Sequence, residues 1–213
     1  CQFVHGSTHI ISESTKALIR RALVERMSLR GICRVFNVSL TWLLSFAVRE
    51  WSKAPDDLAA QLPFKKEGES IKKLQIIGFQ IDEMWSFVQN KEAKAWIRVL
   101  YYPGNRQVVA YYIGRRDKHA FQALWNQIPA DWKRYCDFET DQWAAFKTAI
   151  DPNQHYDTKA LTYWIESFFG RVRARVARLT RQSRSFSKSA KNHQAAIKYF
   201  FWKSNLEMAA LHL

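Results

Sequence analysis

Three carboxylates stand where acidic side chains could do chemistry together. Asp82 lies inside an otherwise apolar strand pattern, where an Asp costs free energy unless it is paired or bound to a metal. Asp141 ends a later strand pattern, and Glu166 lies near the start of a long helix pattern. Three hard oxygen ligands at one point suit Mg²⁺ or Mn²⁺. Two such ions about 4 Å apart would activate an attacking oxygen and stabilise a leaving oxygen in phosphodiester chemistry.

Each of these carboxylates also has a plainer interpretation. Asp141 could cap the helix that follows it, and Glu166 could be an early-turn Glu that the helix dipole favours. We rank Glu83 below Asp82, because strand alternation turns it to the opposite face. Other acidic residues within reach of the same sites are Asp137 and Glu139.

The elements around these carboxylates follow an α/β pattern that begins with an antiparallel meander. β-Branched and aromatic residues predict strands over 74–88, 95–102 and 108–114, with a turn at 103–106. The pattern then predicts a helix over 118–128, a strand over 135–140, a helix over 142–149, an extended stretch near 155–156 and a long helix from about 162 past 175. The carboxylates can converge if the first and fourth strands of a mixed five-stranded sheet are neighbours.

The segment 12–51 predicts three short helices before this sheet. Ser14 or Thr15 can cap the first helix, Ser28 the second and Ser39 the third. We expect Leu43, Leu44, Ala47 and Val48 to face inward on the third helix. Residues 28–43 have the rhythm of a helix-turn-helix, with Thr41, Trp42 and Ser45 facing outward, where they could meet a DNA groove. The alternative is a three-helix packing module without a role in DNA binding.

The polar, Pro-containing stretch 53–73 separates the two patterns. The sequence therefore predicts an all-α helix-turn-helix domain over 1–52, a linker over 53–73 and an α/β domain over 74–213 that ends in a basic helical tail.

The distribution of charge indicates a polyanionic partner. The 213 residues include 33 Lys and Arg against 19 Asp and Glu, and residues 165–213 carry ten basic and two acidic side chains. Basic ends around a near-neutral centre favour nucleic acid over a membrane surface, because the basic tail is interleaved with core-like aromatics and lacks a long amphipathic face for lipid. No run of 18 apolar residues occurs, so we expect no membrane span. Three widely spaced cysteines fit a reducing cytoplasm better than a disulfide framework. We see no nucleophile paired with His119 or His193, so Ser/His or Cys/His catalysis has little support.

The basic tail follows a helical spacing. Arg171, Arg175 and Arg178 recur at i, i+4 and i+7 beside an apolar stripe. The acidic residues of this region, Glu166 and Glu207, are too few to pair with its ten cations, so the positive field is available to DNA.

Several motifs together resemble the insertion-sequence-one family of bacterial DDE transposases. They are Asp82-Glu-Met-Trp-Ser-Phe-Val88, Thr140-Asp-Gln-Trp143, Ile165-Glu-Ser-Phe-Phe169, Arg173-Ala-Arg-Val-Ala-Arg-Leu-Thr-Arg181 and Ser185-Phe-Ser-Lys-Ser189. The resemblance implies an RNase H-like catalytic domain in which Asp82, Asp141 and Glu166 bind Mg²⁺ or Mn²⁺. It also implies cleavage at transposon ends and strand transfer by the freed 3′-hydroxyl.

The resemblance also implies a DNA path and an assembly. Arg173 matches a basic family position two helical turns after Glu166, where it could grip the phosphate backbone. Synapsis of two ends of double-stranded DNA implies at least a dimer, working in the bacterial cytoplasm without a membrane partner. The residues that we expect to contact DNA are Thr41, Trp42, Arg171, Arg173, Arg175, Arg178, Arg181 and Lys188.

The sequence departs from the family pattern at two points. Phe169 stands where members have Asn, and of the cysteines of the family's N-terminal zinc ribbon only Cys1 could remain, so we expect no zinc in this chain. These departures keep two alternatives open. One is a transposase-derived DNA-binding protein without catalysis, and the other is a nuclease of the same fold that does not transfer strands.

Overall fold

A five-stranded mixed sheet forms the centre of the α/β part of the computed structural model, which describes residues 10–62, 78–141, 146, 149–157, 162–179 and 185–211. Its strands are β1 (Gly78–Phe87), β2 (Lys94–Tyr102), β3 (Gln107–Gly114), β4 (Asp137–Thr140) and β5 (His155–Tyr156). The spatial order is β3-β2-β1-β4-β5. The first three strands are antiparallel, whereas β4 runs parallel to β1 and β5 parallel to β4. The predicted mixed sheet is confirmed, and its first and fourth strands are neighbours, which is the condition for the carboxylates to converge.

Helices cover both faces of this sheet. They are α4 (Lys118–Trp125), α5 (Ala130–Tyr135), α6 (Tyr163–Arg175) and α7 (Ala190–Leu211). One hydrophobic cluster joins β1 and β2 to α6 and α7, and a second joins β1 and β4 to α4. The sequence did not predict α5, whose last residue, Tyr135, was expected to begin β4. The predicted helix over 142–149 falls largely outside the described residues.

Three short helices precede the sheet: α1 (Glu13–Ala22), α2 (Leu29–Phe36) and α3 (Leu40–Trp51). Ser28 and Ser39 cap α2 and α3 as predicted, but Ser12, rather than Ser14 or Thr15, caps α1. Asn37 ends α2 in the left-handed conformation, which Asn tolerates well. Leu43 and Ala47 are buried, whereas the expectation that Leu44 and Val48 also face inward is wrong, since both are exposed.

The three helices pack directly onto the rest of the molecule. Ala47, Trp51 and Leu58 are buried in the same cluster as Met84 of β1 and Phe201 of α7. Part of the segment that the sequence predicts as a linker, residues 53–62, therefore belongs to the packed structure.

Asn205 of α7 holds this segment in position. Its side chain accepts a hydrogen bond from the N–H of Val108 and donates to the carbonyl oxygens of Val108 and Leu58. Because Asn205 is fully buried, these bonds satisfy polar groups that would otherwise be costly to bury.

Among the described residues, no single helix is long and apolar enough to cross a membrane. Only α2 and α3 taken together reach the required length and apolarity, and their axes are bent by 113°.

Candidate active site

The register of β1 and β4 brings Asp82 and Asp141 to neighbouring positions. Ile81 of β1 pairs with Thr140 of β4, and the two aspartates are the next residues of each segment. Parallel strands lie about 4.8 Å apart, so this register sets the two carboxyl groups at one end of the pairing.

Glu166 approaches the same end from α6, in the first turn of the helix. Its Oε1 accepts a hydrogen bond of 3.1 Å from the hydroxyl of Thr162. The neighbouring Ile165 donates its backbone N–H to Oε1 of Gln80 on β1, at 2.8 Å. Gln80 is a site residue that was not predicted from the sequence, although a polar residue in an apolar strand pattern is a signal for one.

Neighbouring negative charges act on the carboxyl group of Asp82. Its pKa is raised to about 7, chiefly by burial and also by the negative charges of Asp141, Glu166 and Glu83, against a hydrogen bond from the Glu83 N–H that lowers it. That bond joins the Glu83 nitrogen to Oδ1 of Asp82 at 2.6 Å. Three of the charged side chains that act on Asp82 are thus carboxylates, an arrangement that a divalent cation would relieve.

Other acidic residues near this site have different partners. Glu83 forms ion pairs with Arg98, at 3.0 Å, and with Arg116, although burial still raises the pKa of its carboxyl group. Glu139 accepts a hydrogen bond from Nε2 of Gln80 at 2.9 Å. Burial raises the pKa of Asp137, against a hydrogen bond with Tyr156. Glu83 and Glu139 thus have structural partners.

The donor chemistry of Asp82, Asp141 and Glu166 fits a hard divalent cation. Within the described residues, however, no three Asp, Glu, His or Cys side chains are grouped closely enough to hold a metal ion together. The convergence of the three carboxylates on shared ions therefore stays a prediction.

The basic tail differs from its prediction, because α6 ends at Arg175 and a short 3₁₀ helix over Ala177–Leu179 follows. Arg178 therefore does not continue the helical face of Arg171 and Arg175. Arg175 is paired within the protein: it donates to both oxygens of Glu207, at 2.7 and 2.9 Å, and to Glu25 at 2.8 Å. The expectation of an unpaired cation is wrong here, since the turn between α1 and α2 supplies a second carboxylate, Glu25.

Arg171 and Arg178 also contact other parts of the chain. The guanidinium of Arg171 lies 5.3 Å from the ring centre of Phe168. Arg178 stacks over Trp51 at 4.9 Å and donates to the hydroxyl of Ser187 and the carbonyl of Asn192, each at 3.1 Å. Burial lowers the pKa of Arg178 to about 10.

A buried histidine extends the contacts of Arg178. His193 lies between two serine hydroxyls, with Nε2 2.9 Å from Ser86 and Nδ1 2.9 Å from Ser187. Ser86 donates its own proton to the carbonyl of Ala95, so Nε2 of the neutral ring is the donor to Ser86 and Nδ1 accepts from Ser187. The statement that His193 has no paired nucleophile is therefore wrong, but the ring is 1% exposed and burial lowers its pKa to about 4.

The remaining candidate DNA contacts have varied surroundings. Thr41 and Lys188 are exposed, and Arg173 is partly exposed. Trp42 stacks on Phe46 with ring centres 4.9 Å apart, so part of its indole belongs to the core of the three helices. Arg181 lies outside the described residues.

Comparison with known proteins identifies the family. Residues 75–207 match the model described as IS1 transposase. The chain belongs to the IS1 transposase family. It is 30% identical over 130 residues to insertion element IS1 protein InsB of Shigella flexneri, which covers 59% of this chain and 94% of that protein. It is 29% identical over 126 residues to insertion element IS1 4 protein InsB of Escherichia coli K12, covering 59% of this chain and 74% of that protein.

Membership of the IS1 family gives the transposase role and DNA as the partner. The matched region includes all three candidate carboxylates and the whole described sheet. The mixed five-stranded sheet with its helices is consistent with the RNase H-like domain of a DDE transposase.

Proposed function

We propose that this IS1-family transposase cuts DNA at transposon ends in a metal-dependent reaction and joins the freed 3′-hydroxyl to target DNA. The observation that carries the proposal is the β1–β4 register, which makes Asp82 and Asp141 neighbours at the end of two paired strands, while Glu166 acts on Asp82 from the first turn of α6. Such a repelling group costs folding free energy, and a site for Mg²⁺ explains why the fold would keep it.

Asp82, Asp141 and Glu166 are the residues that would hold one or two Mg²⁺ ions. The ions, when bound, activate the attacking oxygen and stabilise the leaving oxygen. Thr162 restricts the Glu166 carboxylate through its hydroxyl bond, while the Glu83 N–H orients the carboxylate of Asp82. Arg173 lies two turns after Glu166 on α6, where a guanidinium can hold a DNA phosphate.

We further propose that α2 and α3 form a helix-turn-helix that reads the transposon end. The two helices are joined by 37–39 and are bent by 113°, within the range usual for this motif. Thr41 and Ser45 are exposed on α3 and could reach base edges. We propose residues 1–52 as this DNA-binding unit, residues 74–213 as the catalytic unit and a dimer or larger assembly for pairing two ends in the cytoplasm.

Neutral substitutions at the aspartates test the catalytic proposal. We expect Asp82→Asn and Asp141→Asn each to reduce cleavage of a plasmid carrying the element's ends by about 1000-fold in Mg²⁺, because each removes a ligand charge. The exposed Glu92→Gln provides a matched loss of charge away from the site and should cleave normally. Gel assays of nicked and joined products, with end binding measured by fluorescence anisotropy, give the readouts.

Retained cleavage in Asp82→Asn would contradict the proposal. Loss of end binding together with cleavage would instead indicate a structural role for Asp82. Nicked products without joined products in the unmodified protein would favour a nuclease that does not transfer strands.

The non-catalytic alternative rested on Phe169. This side chain is 2% exposed and packs in the cluster of Ile165, Phe168 and Phe201. A Phe at this position thus fills the hydrophobic core. The departure from the family pattern therefore gives little support to loss of catalysis.

A further inference from the structure

A buried glutamine connects three elements at the carboxylate end of the sheet. Gln80 of β1 is 1% exposed. Its Oε1 accepts a hydrogen bond of 2.8 Å from the N–H of Ile165, and its Nε2 donates one of 2.9 Å to Oε2 of Glu139. One side chain of β1 thereby links the first turn of α6 to β4.

The start of α6 depends on this link, because the helix lacks a side-chain cap of its own. The first N–H groups of a helix have no intrahelical partner, and the N-cap side chain commonly accepts from the second or third helical residue. Thr162 occupies the N-cap position, but its hydroxyl donates to Glu166 and makes no cap bond. Gln80 accepts at the third residue, Ile165, and so performs the capping role from a neighbouring strand.

The position of Gln80 couples this cap to the proposed metal ligands. Gln80 and Asp82 are two residues apart on β1 and therefore point to the same face of the sheet. On the helix side, the capped Ile165 directly precedes Glu166. The same amide thus restrains the strand that carries Asp82 against the helical turn that carries Glu166.

We propose that Gln80 is a positioning residue that sets Glu166 against Asp82 and Asp141 so that the three carboxylates bind the metal ions together. This inference rests on the proposed function. The two neighbours of Gln80 require an amide: the Ile165 N–H needs an acceptor, and the Glu139 carboxylate needs a donor. Methionine has a similar shape but satisfies neither group, and glutamate would turn an oxygen toward Glu139.

Gln80→Met separates this role from general stability when it is compared with Gln107→Met. Gln107 is equally buried, at 1% exposure, and its hydrogen bonds to Gln61 and Asn205 lie elsewhere. In Gln80→Met we expect cleavage at saturating DNA to slow, and direct Mn²⁺ affinity measured by EPR to weaken, each by about 10- to 100-fold, as for other residues that orient metal ligands. Affinity for DNA should stay unchanged, and Gln107→Met should retain the normal rate and Mn²⁺ affinity.

Hydrogen exchange supplies a readout that needs neither metal nor DNA. In Gln80→Met the peptide over 163–168 should exchange faster, because the Ile165 N–H has lost its acceptor. In Gln107→Met this peptide should exchange at the normal rate.

Exchanging the two partners tests the bonding pattern itself. Gln80→Glu alone sets two carboxylates against each other and should lose Mn²⁺ affinity and cleavage. The double variant Gln80→Glu, Glu139→Gln keeps the acceptor for Ile165 and restores a donor between the two side chains, so it should recover most of both. If Gln80→Met does not fold, the difference between these single and double variants decides whether the hydrogen bonds of Gln80 position Glu166.

Normal Mn²⁺ affinity and cleavage in Gln80→Met, with Asp82→Asn inactive, would overturn the role of Gln80 and leave the proposed function standing. Failure of the double variant to recover beyond the Gln80→Glu level would also overturn it. Normal cleavage in Asp82→Asn would overturn the proposed function and this inference together.

Discussion

The two ends of α6 place charged side chains in opposite surroundings. At its N-terminal end, the negative charges of Glu166, Asp141 and Glu83 add to burial in raising the pKa of Asp82. At its C-terminal end, Arg175 donates to Glu207 and Glu25, and these carboxylates raise its pKa. One end of the helix therefore gathers like charges, while the other pairs opposite ones.

This difference distinguishes stabilising charges from charges kept for function. Ion pairs such as those of Arg175 hold separate elements together and leave little of the charge for a ligand. A group of like charges weakens the fold, and such a cost persists where a ligand of the opposite charge is bound. The net charge of the chain does not show this distinction, because charged residues in ion pairs and charged residues among like charges count equally in it.

The largest expected effect is on DNA cleavage, and it differs between substitutions at the two ends of α6. Glu166→Gln should reduce cleavage in Mg²⁺ by about 1000-fold, whereas Arg175→Gln should stay within about threefold, because only Glu166 lies among the proposed ligands. In Arg175→Gln the slope of log DNA affinity against log salt should also stay unchanged, since this guanidinium is already paired. A decrease in that slope by about one would show that Arg175 contacts phosphate and would remove the contrast.

A smaller effect, on stability, concerns the contacts beyond the C-terminal end of α6. His193→Phe should lower the free energy of unfolding by about 2–4 kcal/mol, because the buried hydroxyls of Ser86 and Ser187 each lose a hydrogen-bond partner. Urea denaturation measures the change, with the exposed His119→Phe as control. If His193→Phe also reduced cleavage of the fully folded protein, this cluster would be more than structural.

The smallest effect is a dependence of stability on pH at the N-terminal end. The pKa of Asp82 is about 7 in the folded protein against an ordinary value of 3.8, so the folded state keeps its proton where the unfolded state has lost it. The stability of the metal-free protein should therefore fall as pH rises from about 4 to 7 and then level off. Asp82→Asn avoids this loss and should exceed the unmodified protein by about 2 kcal/mol at pH 8.

Urea denaturation in EDTA at pH 4.5 and pH 8 checks this expectation, with the exposed Asp131→Asn as control. An advantage of Asp82→Asn that is equal at both pH values would mean that burial and the neighbouring carboxylates do not disfavour ionisation of Asp82.

The sequence predicted the parts of this molecule that depend on local pattern or on strong motifs. β-Branched and aromatic residues indicated β1 to β3, and the serines at 28 and 39 indicated two helix starts. Asp82 stood out because an acidic residue in an apolar strand is costly. These features require only neighbours in the chain.

Features that depend on distant partners could not be predicted in this way. Arg175 looked unpaired because Glu25, 150 residues away, could not be assigned to it from spacing. The helical spacing of Arg178 was misleading, since the helix stops at Arg175 and the chain turns into a 3₁₀ helix. The role of Gln80 required knowing that β1 lies beside both β4 and the start of α6.

Ala47, Trp51 and Leu58 are buried among residues of the sheet and its helices, so α3 is held at a fixed distance from the sheet. If a flexible linker joined α1–α3 to the sheet, these helices could bind one stretch of DNA while the carboxylates cut at a range of distances from it. Here α3 is packed against α7, so a duplex gripped by Thr41 and Ser45 would meet the carboxylates a set number of base pairs away. The position of cleavage would then follow from how α3 packs in the protein. A polar substitution at Trp51 would make that position less uniform before it abolished cleavage.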